Sequence, residues 1–290
     1  MTKKLVIRNM SRPEVDVLVD WATREGWNPG LNDADLFWAT DSDAFIAAEI
    51  EGELIGGGAI TSYQGEFGFM GFFIIRPEFR GRGFGNTLWH ARRERLIARL
   101  RTGASIGLDG DLAMQDYYAK GGFVFSHHNL RFRAEIPERP VIPTVGNEDI
   151  VPLVEVPFDQ VIDYDRSCFP APRMGFLKGW LSQPDAVILG CRRGENLSGY
   201  GAVRRCGQGY KIGPLFADDL KTAQTLYAHL AKHSTGGPLF LDAPENNPAA
   251  LELVQQHRMV KTFSCARMYL GPVPDITHQR IFGITTFELG

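Results

Sequence analysis

Apolar and polar positions along this chain fall into short blocks, and the period of each block predicts an element. The stretch from about Ser11 to Glu25 reads as a helix, and the turn Trp27-Asn28-Pro29-Gly30 follows it. An apolar run from Ala44 to Ile50, a Glu51-Gly52 turn and a returning run through Leu54, Ile55 and Ile60 predict a hairpin. Phe67 to Ile75 is apolar at nearly every position, which predicts one strand buried on both faces and ending at Arg76-Pro77. Leu88, Trp89, Leu96, Ile97 and Leu100 then recur at helical spacing, so the Gly-rich segment before them opens a helix. A strand ending Leu108-Asp109-Gly110, a helix from about Leu112 to Lys120 and a strand from Phe123 to Phe132 complete the first half.

The second half repeats that order. Strands are predicted at Ala186 to Arg192, Leu197 to Arg205, Tyr210 to Phe216, Leu239 to Asp242 and Val260 to Leu270. Helices are predicted from about Leu220 to Lys232 and from about Pro248 to His257. Ile75-Arg76-Pro77-Glu78-Phe79 is echoed by Ile212-Gly213-Pro214-Leu215-Phe216, Leu108-Asp109-Gly110 by Leu241-Asp242-Ala243, and the Gly52 turn by the Gly194 turn. Each echo is a common strand-end pattern, but their shared order predicts an internal repeat. Between the halves, Pro137, Pro140 and Pro143 deny the segment Ala134 to Pro143 a helix or a central strand. The expected division is a first domain over 1–137, a linker over 138–143 and a second domain over 144–290. The fold class is α/β, with a mixed sheet.

Composition narrows the function classes. The chain has 290 residues, 44% hydrophobic and 22% charged, which suits two soluble domains of about 140 residues each. A formal charge of −3 and a pI of about 6.2 supply no basic field, so nucleic acid is not an expected partner. No run approaches the roughly 20 apolar residues that would cross a bilayer, and Met1-Thr2-Lys3-Lys4 leads into too short an apolar stretch for a signal peptide. The expectation is a cytoplasmic protein with no membrane partner. Cys168, Cys191, Cys206 and Cys265 lack metal or redox spacing and read as reduced, mostly buried thiols.

The segment richest in chemistry is Ile75-Arg76-Pro77-Glu78-Phe79-Arg80-Gly81-Arg82-Gly83-Phe84-Gly85-Asn86. It leaves a buried strand, carries glycines at 81, 83 and 85, and enters a helix. Glycines let backbone N–H groups approach a ligand with no Cβ in the way, and a helix N-terminus adds unsatisfied donors and partial positive charge. Together they make a cradle for a pyrophosphate. No Lys-Ser or Lys-Thr follows, as a P-loop requires, and the glycine spacing does not fit the dinucleotide fingerprint.

What remains is Arg-x-x-Gly-x-Gly, and here the sequence resembles the GNAT acyltransferases. Their acyl-CoA loop reads Gln or Arg, two residues, Gly, one residue, then Gly or Ala. Arg80, Gly83 and Gly85 occupy those positions. The resemblance implies acetyl-CoA as acyl donor, bound by Ile74, Ile75, Arg80, Gly81, Arg82, Gly83, Phe84, Gly85 and Asn86. Arg92, Arg93, Arg95, Arg99 and Arg101 then form either a solvated helix face or an attractor of the CoA phosphates.

Acyl transfer to an amine needs a deprotonated amine, donors for the oxyanion and an acid for the departing thiolate. In these enzymes the acid is usually a Tyr in the helix before a Gly-Phe. The segment Asp116-Tyr117-Tyr118-Ala119-Lys120-Gly121-Gly122-Phe123 places Tyr118 there. The carboxylate often found in the strand before the loop is missing from Phe69 to Ile75, so Asp109 is the expected base, directly or through water. An Asp-Gly at a strand end also serves as a turn former.

Gly26-Trp27-Asn28-Pro29-Gly30, Gly107 to Gly110, Met114-Gln115 and Gly209 to Leu215 resemble a narrower branch with YitH-like and holothin acetyltransferase-like members. Trp27 and Asn28 are then expected beside the acceptor, a small-molecule primary amine. The second copy reads Ala217-Asp218-Asp219-Leu220-Lys221-Thr222 at the cradle and Val254 at the Tyr118 position, so it is expected not to catalyse. It is left to shape the acceptor site, to bind a regulatory small molecule, or to stabilise a homodimer or the domain pair. The rival to an N-acyltransferase is a sensor that binds acyl-CoA without turnover.

Overall fold

The computed structural model describes residues 4–135 and 148–290. The first half runs β1 (Leu5–Asn9), α1 (Arg12–Arg24), α2 (Asp33–Thr40), β2 (Phe45–Ile50), β3 (Glu53–Ala59), β4 (Thr61–Tyr63), β5 (Phe67–Phe69), β6 (Phe73–Ile75), α3 (Phe84–Ile97), β7 (Ser105–Asp111), α4 (Gln115–Lys120) and β8 (Val124–Ala134). The second runs β9 (Glu148–Pro152), α5 (Phe158–Cys168), α6 (Met174–Trp180), β10 (Val187–Arg193), β11 (Asn196–Arg205), β12 (Tyr210–Ala217), α7 (Leu220–Ala231), β13 (Leu239–Pro244), α8 (Pro248–Gln256), β14 (Val260–Leu270) and β15 (Ile281–Gly283). The linker expected at 138–143, with its three prolines, lies outside the described residues.

Helix α1 starts where local chemistry directs it. Pro13 sits in the first turn, and the Glu14 carboxylate accepts from the Ser11 N–H at 2.8 Å and hydroxyl at 3.0 Å. Its apolar face, Val15, Leu18 and Ala22, is fully buried in a core that also takes Phe176, Leu177 and Trp180 from α6. The halves therefore share a core. Among the described residues, no helix is long and apolar enough to cross a membrane.

Phe67 to Ile75 is not the single strand its apolar run predicts. β5 pairs parallel with β7, whereas β6 leaves that sheet and pairs antiparallel with β3, closing a four-stranded sheet in the order β1-β2-β3-β6. The chain turns between them at Met70 to Phe72, where Phe72 takes the left-handed φ of +33°. Arg92, wholly buried, donates from Nη2 to the carbonyls of Gly71 at 2.5 Å and Ala59 at 2.6 Å, and the Gly71 carbonyl also accepts from the Ala59 N–H at 2.9 Å, so the break is tied to the end of β3. The run reads as one strand because both pieces are buried.

The remaining strands form one long sheet in the order β4-β5-β7-β14-β8-β13-β12-β11-β10-β9. Its centre is an exchange. β14, from the second half, lies between β7 and β8 of the first, and β8 in turn lies between β14 and β13. Each half thus lends a long strand to the other.

The two copies differ at the gap beside the strand after the hairpin. In the first, β6 has one strand partner among the described residues, β3, and its other edge is open among them. In the second, Tyr210 to Ile212 pair with β13, and Leu215 and Phe216 pair with β15, so the chain's own later segment fills the corresponding gap.

Candidate active site

A cavity of about 490 Å³ lies between β6 and β7. Arg80, Gly81, Gly85 and Asn86 line it together with Ile74, Ile75, Leu108 to Asp111, Tyr117 and Tyr118. Trp27, Phe72, Phe263, Cys265, Phe287 and Glu288 line it too, so the second half supplies part of the wall.

Gly81 and Gly83 hold φ of +72° and +83°, a left-handed conformation that side chains rarely adopt. Gly83 is the residue from which α3 starts, and its carbonyl accepts from the Thr87 N–H at 3.2 Å. The N–H groups of Phe84, Gly85 and Asn86 precede that first intrahelical bond and stay free for an anion. Arg80 folds back, donating from Nε to the Ile75 carbonyl at 2.7 Å and from Nη2 to Glu25 at 2.5 Å. Arg82 lies over the rings of Phe79 and Phe84, 5.5 and 5.1 Å from their centroids. Arg80, Gly81, Gly85 and Asn86 thus reach the cavity, while Arg82, Gly83 and Phe84 shape the loop around its mouth.

The arginines that follow form no simple solvated face. Arg92 supports the strand break, Arg95 donates to the Ile7 carbonyl at 2.9 Å, and Arg99 grips both Asp41 oxygens at 2.6 and 2.7 Å. They tie α3 to the body of the protein.

Tyr118 is 6% exposed, with its ring 4.9 Å from that of Trp89. Gly110 makes room for it, since a Cβ there would overlap the Tyr118 ring. Burial pushes the Tyr118 phenol up to about 12, against the lowering effect of Arg92, so at neutral pH it keeps its proton. Tyr117 donates to the Asn86 side chain at 2.9 Å, which links α4 to the glycine loop.

Asp109 also reaches the cavity wall, but its lone pairs are committed. Arg267 donates to Oδ1 at 2.8 Å and to Oδ2 at 2.6 Å, and Asn129 adds a third bond to Oδ1 at 2.8 Å. The geometry therefore gives Asp109, the expected base, an ion pair with Arg267 on the cavity wall. Cys265 stands nearby, and burial, then Asp109, push its thiol well above the ordinary range, so it stays protonated.

Trp27 lines the cavity and stacks on Phe72, ring centroids 6.3 Å apart. Asn28 does not line it. Its side chain exchanges hydrogen bonds with the Gln208 backbone at 2.8 and 3.0 Å, and its carbonyl accepts from Lys211 Nζ at 2.9 Å. Arg131 donates to the Trp27 carbonyl at 2.6 Å, so two buried cations from the long sheet clamp this turn.

At the second copy's cradle position, Asp219 caps α7 by accepting from the Thr222 N–H at 2.9 Å, and Asp218 accepts from the Tyr164 hydroxyl at 3.0 Å. Carboxylates occupy the place an anion would need. The sequence reading missed Phe263, Phe287 and Glu288, because no local motif marks residues brought here by strand exchange and by the segment after β15.

Comparison with known proteins bears on the family and the fold. The family described as "Acetyltransferase (GNAT) family" matches residues 13–123, and "Acetyltransferase (GNAT) domain" matches residues 161–283. The chain is 28% identical to the holothin acyltransferase of Pseudoalteromonas sp. (strain SANK 73390), covering 97% of this chain and 92% of that one. It is 34% identical to an acetyltransferase of Photorhabdus laumondii, covering 29% of this chain and 60% of that one. Its fold is similar to that of a candidate acetyltransferase from Pyrococcus horikoshii, with a TM-score of 0.82 and 23% identity over 99% of this chain and 96% of that one. A tandem GNAT protein from the clavulanic acid biosynthesis pathway is similar too, with a TM-score of 0.63 and 13% identity over 93% and 100% of the two chains.

Proposed function

Because the chain belongs to the acetyltransferase (GNAT) family and carries two of its domains, we propose that the first domain transfers an acetyl group from acetyl-CoA to a primary amine. The acceptor is a small molecule, and the amine attacks the thioester directly. The open edge of β6 between the glycine loop and Tyr118 carries this reading. An extended chain of amides can add to such an edge as a further strand would, with its phosphates on the free N–H groups at the start of α3.

The chemistry follows from what lines the cavity. Backbone donors on the β6 edge face the region where a thioester oxygen would gain charge. The departing thiolate takes a proton from Tyr118. Trp27, Phe72, Phe263 and Phe287 line the cavity as well and suit an amine with an apolar or aromatic body. We place the reaction in the cytoplasm, where four free buried thiols would stay reduced.

The test is calorimetric titration with acetyl-CoA, followed by thiol release in the presence of primary amines. Saturable binding with amine-dependent release is the expected result. Binding without release would favour acyl-CoA sensing, and no binding would remove the cofactor assignment.

A further inference from the structure

The mechanism lacks a group to take the proton from the incoming ammonium, since Asp109 is held by Arg267 and Asn129. We propose that Glu288, carried into the cavity by the segment after β15, is that proton acceptor. This rests on the transferase reading above.

Glu288 is 2% exposed and lines the cavity, and its Oε1 has no hydrogen-bond partner among the described residues. Oε2 accepts from the Thr286 hydroxyl, whose oxygen accepts from the Glu288 N–H at 3.1 Å, so the carboxylate is oriented with one oxygen to spare. The main chain is fixed against the strand break. A Cβ at Gly71 would overlap the Glu288 carbonyl, and the Tyr63 hydroxyl donates to the Leu289 carbonyl at 2.7 Å. Glu288 therefore sits at the bend where β5 and β6 part, beside the edge assigned to the thioester.

The charged groups around it are otherwise engaged. Arg131 on β8 is paired with Asp242, Arg204 on β11 with Asp33, and Lys211 on β12 donates to the Asn28 carbonyl, while Cys265 on β14 keeps its proton. Arg92 on α3 donates from Nη2 to the Gly71 and Ala59 carbonyls, and its Nε and Nη1 have no hydrogen-bond partner among the described residues. In the step, an ammonium N–H bond breaks and its proton moves to Glu288 Oε1. The freed nitrogen lone pair bonds the thioester carbon, the C–S bond breaks, sulfur takes the Tyr118 proton, and the nitrogen loses its second proton to solvent to leave the neutral amide. Solvent then returns a proton to Tyr118 and removes one from Glu288.

The experiment compares the full chain with Glu288→Gln and Glu288→Asp. It uses acetyl-CoA and a panel of phenylalkylamines, whose ammonium groups titrate near the lysine value of about 10.4. Glu288→Gln should bind acetyl-CoA as the wild type does and lose about 100-fold in kcat near pH 7. The deficit should shrink as pH rises and neutral amine appears. Glu288→Asp should keep part of the rate and the wild-type pH profile. A deficit of constant size at every pH, or no deficit, would overturn the assignment. If Glu288→Gln does not fold, Glu288→Asp decides: a rate equal to that of the wild type at every pH overturns the proposal. Wild type that binds acetyl-CoA but releases thiol with none of the amines would instead sink the transferase reading itself.

Discussion

Asp109 on β7 holds Arg267 on β14 through two hydrogen bonds of 2.8 and 2.6 Å, and Asp242 on β13 holds Arg131 on β8 through bonds of 2.7 and 2.8 Å. The pairs are counterparts in the repeat. In each, an Asp of one half grips an Arg on the strand lent by the other, so they fasten both sides of the exchange. Breaking one should leave an uncompensated buried charge. Asp109→Asn is expected to destabilise the protein by about 3–5 kcal/mol, measured by denaturant unfolding. The double variant Asp109→Leu, Arg267→Met should recover much of that loss, and a double variant worse than the single would refute the pairing.

Gly83 turns the chain into α3 at a φ of +83° with no atom near its missing Cβ. Gly83→Val therefore meets strain rather than a clash, and the strain falls on the loop alone. Acetyl-CoA affinity should fall by about tenfold or more, equal to about 1.4 kcal/mol, while the melting temperature changes little. Unchanged affinity by calorimetry would remove the glycine loop from the site.

Tyr118→Phe keeps the ring that packs on Trp89 and loses only the hydroxyl. We expect kcat to fall by about 100-fold with acetyl-CoA affinity nearly unchanged. Because the phenol is pushed up to about 12, wild-type turnover should show no alkaline loss of this proton between about pH 7 and pH 10. Equal turnover in the variant would take Tyr118 out of the mechanism.

His127 is 5% exposed, and burial, then Arg267, push its imidazole down to about 3. The folded state therefore binds fewer protons than the unfolded one between that value and the ordinary 6.5. Stability from this group is present above about pH 6.5 and is lost as pH falls toward 3. Thermal melts should show acid destabilisation over that window, with a shallower slope in His127→Gln.

The parts of the fold and site that the sequence makes legible are local ones. Helices and strands of the repeat carry their own period, and the cradle and Tyr118 lie in contiguous motifs whose chemistry needs no distant partner. Strand exchange is illegible because β14 shows the same alternation whether it pairs within its own half or across it. The break at Gly71 hides in an apolar run, since both pieces stay buried. The ion pair of Asp109 is hidden for a related reason: its position at a strand end is visible, but Arg267 is supplied by a distant strand. Glu288 is found only once β15 is seen to carry the chain back toward the cavity.

The exchange also sets the order of events during folding. β7 and β8 are hydrogen-bonded neighbours of β14 rather than of each other, so the first half cannot complete its sheet when its own residues leave the ribosome. It must wait, with one edge of β7 and both edges of β8 unpaired, until the residues of β13 and then β14 have been synthesised. Contacts this distant in sequence make closure slow, and they make assembly all-or-none across the repeat. The two-domain repeat is in this way a single cooperative unit, in which neither half can be deleted without leaving the other's sheet unfinished.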